Sequence, residues 1–320
     1  MGEDKDLREC CKIALSQCLA IKPSEEILVI TDAPLRDIGY AFFEEAREMG
    51  SKVILVEIVE RRENGEEPPA VIAHVMERMD VIVAPTSKSL SHTAARLAAS
   101  KGGARVTTLP GVTRETLLRA LSVDYKKLHR LTTQLARLLS CAKTARLTCP
   151  RGTDITMGFE GRRGHADTGI VHKPGSFSNL PAGEAFIAPV EGSARGRVVF
   201  SSSFAGLGVL GSPLVIEVEN GEVRRVEGEK ADELMKKIEN AGRPGRNIAE
   251  LGIGTNPKAM ISGLILEDEK VLGTAHIALG NNRNFGGSTE APYHLDGMIL
   301  EPTLWLDGMK VLDSGGFHFD

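Results

Sequence analysis

Several things are missing from this chain, and each absence removes a class of function. The start, MGEDKDLRECCK, is charged and lacks the apolar segment of a secretory signal, so no export is expected. A Met-Gly start suits myristoylation only with Ser or Thr at position 6, and Asp6 stands there. No apolar run reaches the roughly eighteen residues that a membrane helix needs. The cysteines, at 10, 11, 18, 141 and 149, are odd in number and form no CxxC pair. Without a signal they read as reduced thiols in the cytoplasm, not as a disulfide frame or a zinc knuckle. Neither charge sign dominates: 39 Lys and Arg against 43 Asp and Glu give −4, no footprint for nucleic acid or an anionic membrane. The short basic clusters KKLHR (126–130) and GRRGH (161–165) read as solvated faces. Internal repeats, low-complexity tracts and the patterns GxxxxGK[ST], HExxH and GxSxG are also absent.

What remains is a soluble globular composition, 42% hydrophobic and 26% charged over 320 residues, long enough for two domains. The first part alternates strand and helix signals. EEILVITD (25–32), SKVILVEIVE (51–60), DVIVAPTS (80–87) and ARVTTLP (104–110) are apolar and β-rich. Between them lie helical spacings at 35–50, 68–79 and 92–102, and a long helix is expected over 123–145. This order predicts an α/β domain, residues 1–145, with a mostly parallel sheet and helices on both faces. After residue 145 glycine becomes dense and the runs turn short and β-like, punctuated by NG and DG turns. Residues 146–320 are therefore expected to form an α+β, largely antiparallel domain, with one helix near 228–242.

GLGVLG (206–211) fits the dinucleotide pattern G-x-G-x-x-G, but a strand-like run follows it where a helix is required. It reads as a glycine-rich hairpin. His74, His92 and His129 sit in predicted helices and read as structural.

The chemistry concentrates in the second half. Glu184, Glu250, His276, His294 and Asp296 all lie in or beside turns rich in Gly, Asn or Pro. In an extended YHLD, residues 294 and 296 project from one strand face, so a nitrogen and a carboxylate can meet one ion. Two histidines and three carboxylates suit one or two divalent ions, and two histidines with one carboxylate suit a mononuclear Fe(II) triad. The competing reading leaves Glu184 and Glu250 exposed and makes His294 a turn cap. Asp154 and Asp167 read as turn residues or supports of the ligands.

The phrases RGTDI, NLPAGEAFIAPVEGSARG, AELGIGTNP, EDEKVLGTAHIALGNN and HLDG occur in an order that resembles the thermophilic metallo-aminopeptidases, the family of aminopeptidase T and aminopeptidase S. Similarity is dense from about 145 to 300. The resemblance implies a pair of divalent metals, Zn, Co or Mn, held by Glu184, Glu250, His276, His294 and Asp296. It also implies removal of N-terminal residues from small peptides, Glu184 or Glu250 as proton carrier, and a homodimer.

One position departs from that pattern. The family's catalytic tyrosine, seven residues after the HIA histidine, is Arg283 here, with Tyr293 as a possible replacement. Arg283 is expected to bind a substrate carboxylate or an oxyanion. The same superfamily resemblance extends to 2,5-dihydroxypyridine dioxygenase. That relationship implies a single iron on His276, His294 and Asp296 and a ring-cleaving oxidation. A third expectation is a metal-binding homologue without peptidase activity.

Overall fold

The computed structural model describes residues 2–319. It divides into two compact units, residues up to 129 together with 167–182, and residues 130–166 together with 183–320. The first crossing between them falls within a single long helix.

The first unit starts with α1 (Gly2–Ile13) and then alternates β1 (Glu26–Asp32), α2 (Arg36–Glu48), β2 (Lys52–Ile58), α3 (Ala70–Met76), β3 (Val81–Ala84), α4 (Ala94–Gly102) and β4 (Arg105–Thr108). Helices α5 (Arg114–Ala120) and α6 (Tyr125–Cys141) follow. The sheet order is β2-β1-β3-β4, all parallel. The central strands explain this arrangement. ILVITD of β1 and VIVA of β3 are buried at every position, as strands covered on both faces must be. The edge strand β2 is instead mostly half-buried or exposed. The side chains of Thr93 and Thr113 accept hydrogen bonds from Arg96 N and Thr116 N, capping α4 and α5.

The sequence pattern placed a single boundary at 145, with everything beyond it in the second domain. The compact units divide at 129, and residues 167–182 return to the first. The return follows from a three-residue strand at 177–179, which pairs in parallel with β4 and extends the first sheet.

The second unit, apart from α6, runs β5 (Thr144–Thr148), β6 (Asp154–Gly158) and β7 (His165–Asp167). The returning strand just described is β8 (Phe177–Asn179). Then come β9 (Glu184–Ile187), β10 (Arg195–Phe200), β11 (Ser203–Phe204), β12 (Gly208–Val209), β13 (Leu214–Glu219) and β14 (Glu222–Glu227). After α7 (Ala231–Ala241) follow β15 (Ile248–Gly254), the short helical turn α8 (Ile265–Asp268), β16 (Ala275–Gly280), β17 (His294–Ile299), β18 (Thr303–Leu306), β19 (Met309–Asp313) and β20 (Gly316–Phe317).

One sheet has the order β14-β13-β10-β6-β5-β18-β19-β20, the other β12-β11-β17-β16-β15-β9-β7. The strand pairs of the first are antiparallel, as are those of the second from β12 to β9. A single apolar cluster draws on both sheets, with Ile155, Val198 and Ile216 from the first and Ile187, Ile253 and Ile277 from the second. The α/β unit with a parallel sheet, followed by a largely antiparallel unit, is the architecture expected from the sequence. GLGVLG supplies the return strand of a small hairpin, Val209 opposite Ser203, and opens no helix. Among the short runs after residue 145, the segment between β15 and β16 holds the helical turn α8. No helix among the described residues is long and apolar enough to cross a membrane. All five cysteines are free thiols.

Candidate metal centre

Four neighbouring strands of the second sheet, β17-β16-β15-β9, carry all five candidate ligands. Their registers put these side chains on one face. Glu184 lies opposite Gly254, and His276 opposite Gly252. Glu250 and Asp296 both flank Ala278, and His294 lies opposite Gly280. Cross-strand neighbours stand about 5 Å apart, so bulky residues at these positions would fill the space between the ligands. Gly252 shows the constraint most sharply, because a Cβ there would come within 2.0 Å of His276 Nε2. The glycines and alanines of ELGIG and HIALG are thus what opens the site. The alternate residues, Leu251, Ile253, Ile277 and Leu279, point the other way into the apolar core.

The ligand atoms converge. His276 Nε2 is 3.2 Å from Glu250 Oε1 and 3.3 Å from Glu184 Oε2. His294 Nε2 is 3.5 Å from Glu250 Oε2 and 3.3 Å from Asp296 Oδ1. Three sets, Glu184–Glu250–His276, Glu250–His294–Asp296 and Glu269–His276–Asp296, each bring their ligand atoms within 4.8 Å of one another. Glu184, Glu250, His276 and Asp296 are all buried, so the exposed-carboxylate alternative is set aside. His294 Nδ1 lies 2.8 Å from the carbonyl of Asn281. A hydrogen bond donated there fixes the tautomer and turns Nε2 toward the carboxylates.

Two members were not read from the sequence. Lys270, 1% exposed, places its ammonium 2.5 Å from Glu184 Oε1 and 2.8 Å from Glu269 Oε1. Both residues belong to EDEK (267–270), a charged run that suggests a solvated surface. The signal that could have found them is that this run stands two residues before the GTAHIA phrase. Glu267 and Asp268 of the same run hold the loop before them: Glu267 accepts from Met260 N, and Asp268 from Ser262 N, Gly263 N and Ser203 Oγ.

The electrostatics follow from burying four carboxyl groups around one ammonium. Burial pushes the Glu269 carboxyl up to about 8, against the pull of Lys270, with Glu184 and Asp296 adding to the rise. Burial disfavours the His294 cation, but Asp296 and Glu250 outweigh it and raise the ring to about 10. Burial works against the Asp296 carboxylate too, and His294 overcomes it, bringing that group down to about 2. Such a crowd of carboxylate oxygens and ring nitrogens, converging within 4.8 Å, suits divalent cations. The donor set therefore fits a metal.

Other candidates lie elsewhere. The Arg283 side chain is 65% exposed and its guanidinium pairs with Glu290, so it is not brought together with the five. Tyr293 Oη donates to the carbonyl of Gly245 at 2.9 Å. Asp154 pairs with Arg146, and Asp167 accepts from Ser178 in the first unit. His74, His92 and His129 are exposed and belong to none of the three clusters.

Fold and cluster together define the class: a two-unit α/β protein whose antiparallel sheet carries a buried carboxylate–histidine cluster able to hold metal. The chain belongs to the 2,5-dihydroxypyridine 5,6-dioxygenase family, whose model matches residues 6–318. It is also 31% identical to aminopeptidase T of Thermus aquaticus over 181 residues, a match covering 49% of this chain. That match spans only 43% of the relative's own length. Among solved structures, 2,5-dihydroxypyridine dioxygenase from Pseudomonas putida KT2440 aligns over 99% of this chain and 98% of its own, with TM-score 0.86 and 19% identity. Wild-type AmpT from Thermus thermophilus aligns over 98% of this chain and 99% of its own, with TM-score 0.76 and 17% identity. At those identities the two structures speak for the fold.

Proposed function

We propose that this protein is a metal-dependent aminopeptidase whose cluster holds two divalent ions. One observation carries the reading: the two oxygens of Glu250 face different histidines, Oε1 toward His276 and Oε2 toward His294. Two ions would then be held by Glu184, Glu250 and His276 on one side and by Glu250, His294 and Asp296 on the other. When bound, such a pair lowers the pKa of a water and polarises a carbonyl, which is the chemistry of hydrolysis.

The residues of the chain supply the rest. The Asn281 carbonyl holds the His294 tautomer, and Lys270 fixes one oxygen of Glu184 and so its orientation. Glu184 and Glu250 are the candidates for carrying the proton from water to the leaving amine. Replacing each by Gln separates their roles. Arg283, paired at the surface, is left out of this machinery. The proposal extends to a cytoplasmic homodimer acting on small peptides, and light scattering tests the dimer.

The experiment is an assay of aminoacyl-p-nitroanilides and dipeptides with added Zn, Co or Mn. Metal-dependent release of the N-terminal residue supports the reading; no release from metal-loaded protein refutes it. A second reading, a mononuclear Fe(II) ring-cleaving dioxygenase using His276, His294 and Asp296, is favoured by the family match over residues 6–318. Oxygen uptake with dihydroxypyridines under Fe(II), without peptide hydrolysis, would select it.

A further inference from the structure

Beside the candidate ligands stands an aromatic wall with no part in binding metal. Phe186, two residues after Glu184, rises from the ligand-bearing face opposite Gly252. It is only partly buried, whereas its neighbours Ala185 and Ile187 are fully buried. Phe285 meets it edge-on at 5.5 Å and meets the His294 ring edge-on at 5.6 Å. His165 stacks on Phe186 at 5.2 Å and meets Phe285 edge-on at 6.4 Å. Three rings in mutual contact therefore stand beside a metal-ligand candidate, with Phe285 touching it.

Phe285 lies in the loop after β16, and that loop is pinned from within. Oε1 of Glu191 accepts from Ser288 N at 2.7 Å and from Asn282 Nδ2 at 3.1 Å. Arg162 binds Glu191 with one guanidinium nitrogen and the Gly286 carbonyl with the other. The fully buried Asn282 closes the loop by accepting from Thr289 N at 2.9 Å. Gly287 permits it, since a Cβ there would fall within 2.0 Å of the Asn282 side chain. Arg162 belongs to GRRGH, read from sequence as a solvated face, yet its side chain is only 15% exposed. So much polar bonding for one short loop holds Phe285 at a set place beside His294.

We propose that Phe186 and Phe285 form the subsite for a ring-sized apolar group of the substrate, and that Glu191 with Arg162 positions it. Under the aminopeptidase reading, on which this inference rests, that group is an aromatic or large apolar N-terminal side chain.

The test uses full-length, metal-loaded protein and two metal-chelating probes, L-phenylalanine hydroxamate and glycine hydroxamate, with calorimetric affinities. Wild type binds the phenylalanine probe more tightly, and Phe285→Ala lowers that preference about tenfold. Phe285→Leu restores part of it. Glu191→Gln lowers it with the ring still present, and metal content is unchanged in all three. Equal affinity of wild type for the two probes overturns the proposal, as does a preference that survives Phe285→Ala. The two readings fail separately. Loss of ring preference with peptide hydrolysis intact removes the subsite alone. Ring preference without any hydrolysis removes the peptidase reading and leaves the subsite standing.

Discussion

The ammonium of Lys270 lies 2.5 Å from Oε1 of Glu184, with both side chains buried. Removing one partner of such a pair leaves an uncompensated buried charge, which costs about 3–5 kcal/mol. Lys270→Met is therefore expected to destabilise the metal-free protein by about that amount in urea unfolding. The double variant Lys270→Met with Glu184→Gln should recover much of the loss, because the orphaned charge goes too. Equal stability of the single variant and wild type would show that the pair is not electrostatically coupled.

Metal binding should tighten as pH rises. An ion takes neutral imidazole, yet the His294 cation persists up to about 10 in the metal-free site. Each ion bound there displaces about one proton, so apparent affinity climbs by up to about tenfold per pH unit below that value. Competition titration with a chelator between pH 6 and 9 measures the slope. A flat profile contradicts the strong pairing of His294 with Asp296.

Stability of the metal-free protein should move the opposite way over the same range. The raised His294 contributes stability that is complete below its unfolded pKa of about 6.5 and is lost as pH rises through about 10. The lowered Asp296 contributes above its unfolded value of about 3.9 and loses this as pH falls through about 2. The raised Glu269 acts in the same sense as His294, its contribution complete below about 4.3 and lost as pH rises through about 8. Thermal melts of chelator-treated protein should therefore decline from about pH 4.5 toward 10 and from pH 4 toward 2. His294→Gln should flatten the alkaline decline.

Gly252→Ala isolates the space that the sequence leaves for the ligands. The added methyl would press on His276 Nε2, displacing a ring that has no room behind it. Metal affinity is expected to drop by about 10- to 100-fold, the range for disturbing the support of a ligand. Affinity at the wild-type level would mean that His276 does not bind metal through Nε2.

The sequence made much of this legible because the decisive signals are local. Fully apolar strands such as VIVA announce a parallel sheet, and the alternation in YHLDG aligns His294 with Asp296 whatever lies around them. Signals that depend on distant partners were hidden. Phe177–Asn179 is too short to read as a strand, and only its pairing with β4 makes it one. EDEK resembles a surface run, and only the facing Glu184 explains a buried lysine. Arg162 reads as solvated until Glu191 and the loop around Phe285 are seen. Arg283 is singled out only by the family resemblance, and a resemblance says nothing of its side chain lying on the surface beside Glu290.

The central proposal is that Glu250 would help to hold two ions, and metal content per chain tests it most directly. Protein dialysed to equilibrium against Zn, Co or Mn and then freed of unbound ion is expected to hold two ions per chain. Glu250→Ala should hold fewer, and His276→Ala and His294→Ala should each lose one. One ion per chain in wild type, or two retained in Glu250→Ala, would contradict the account.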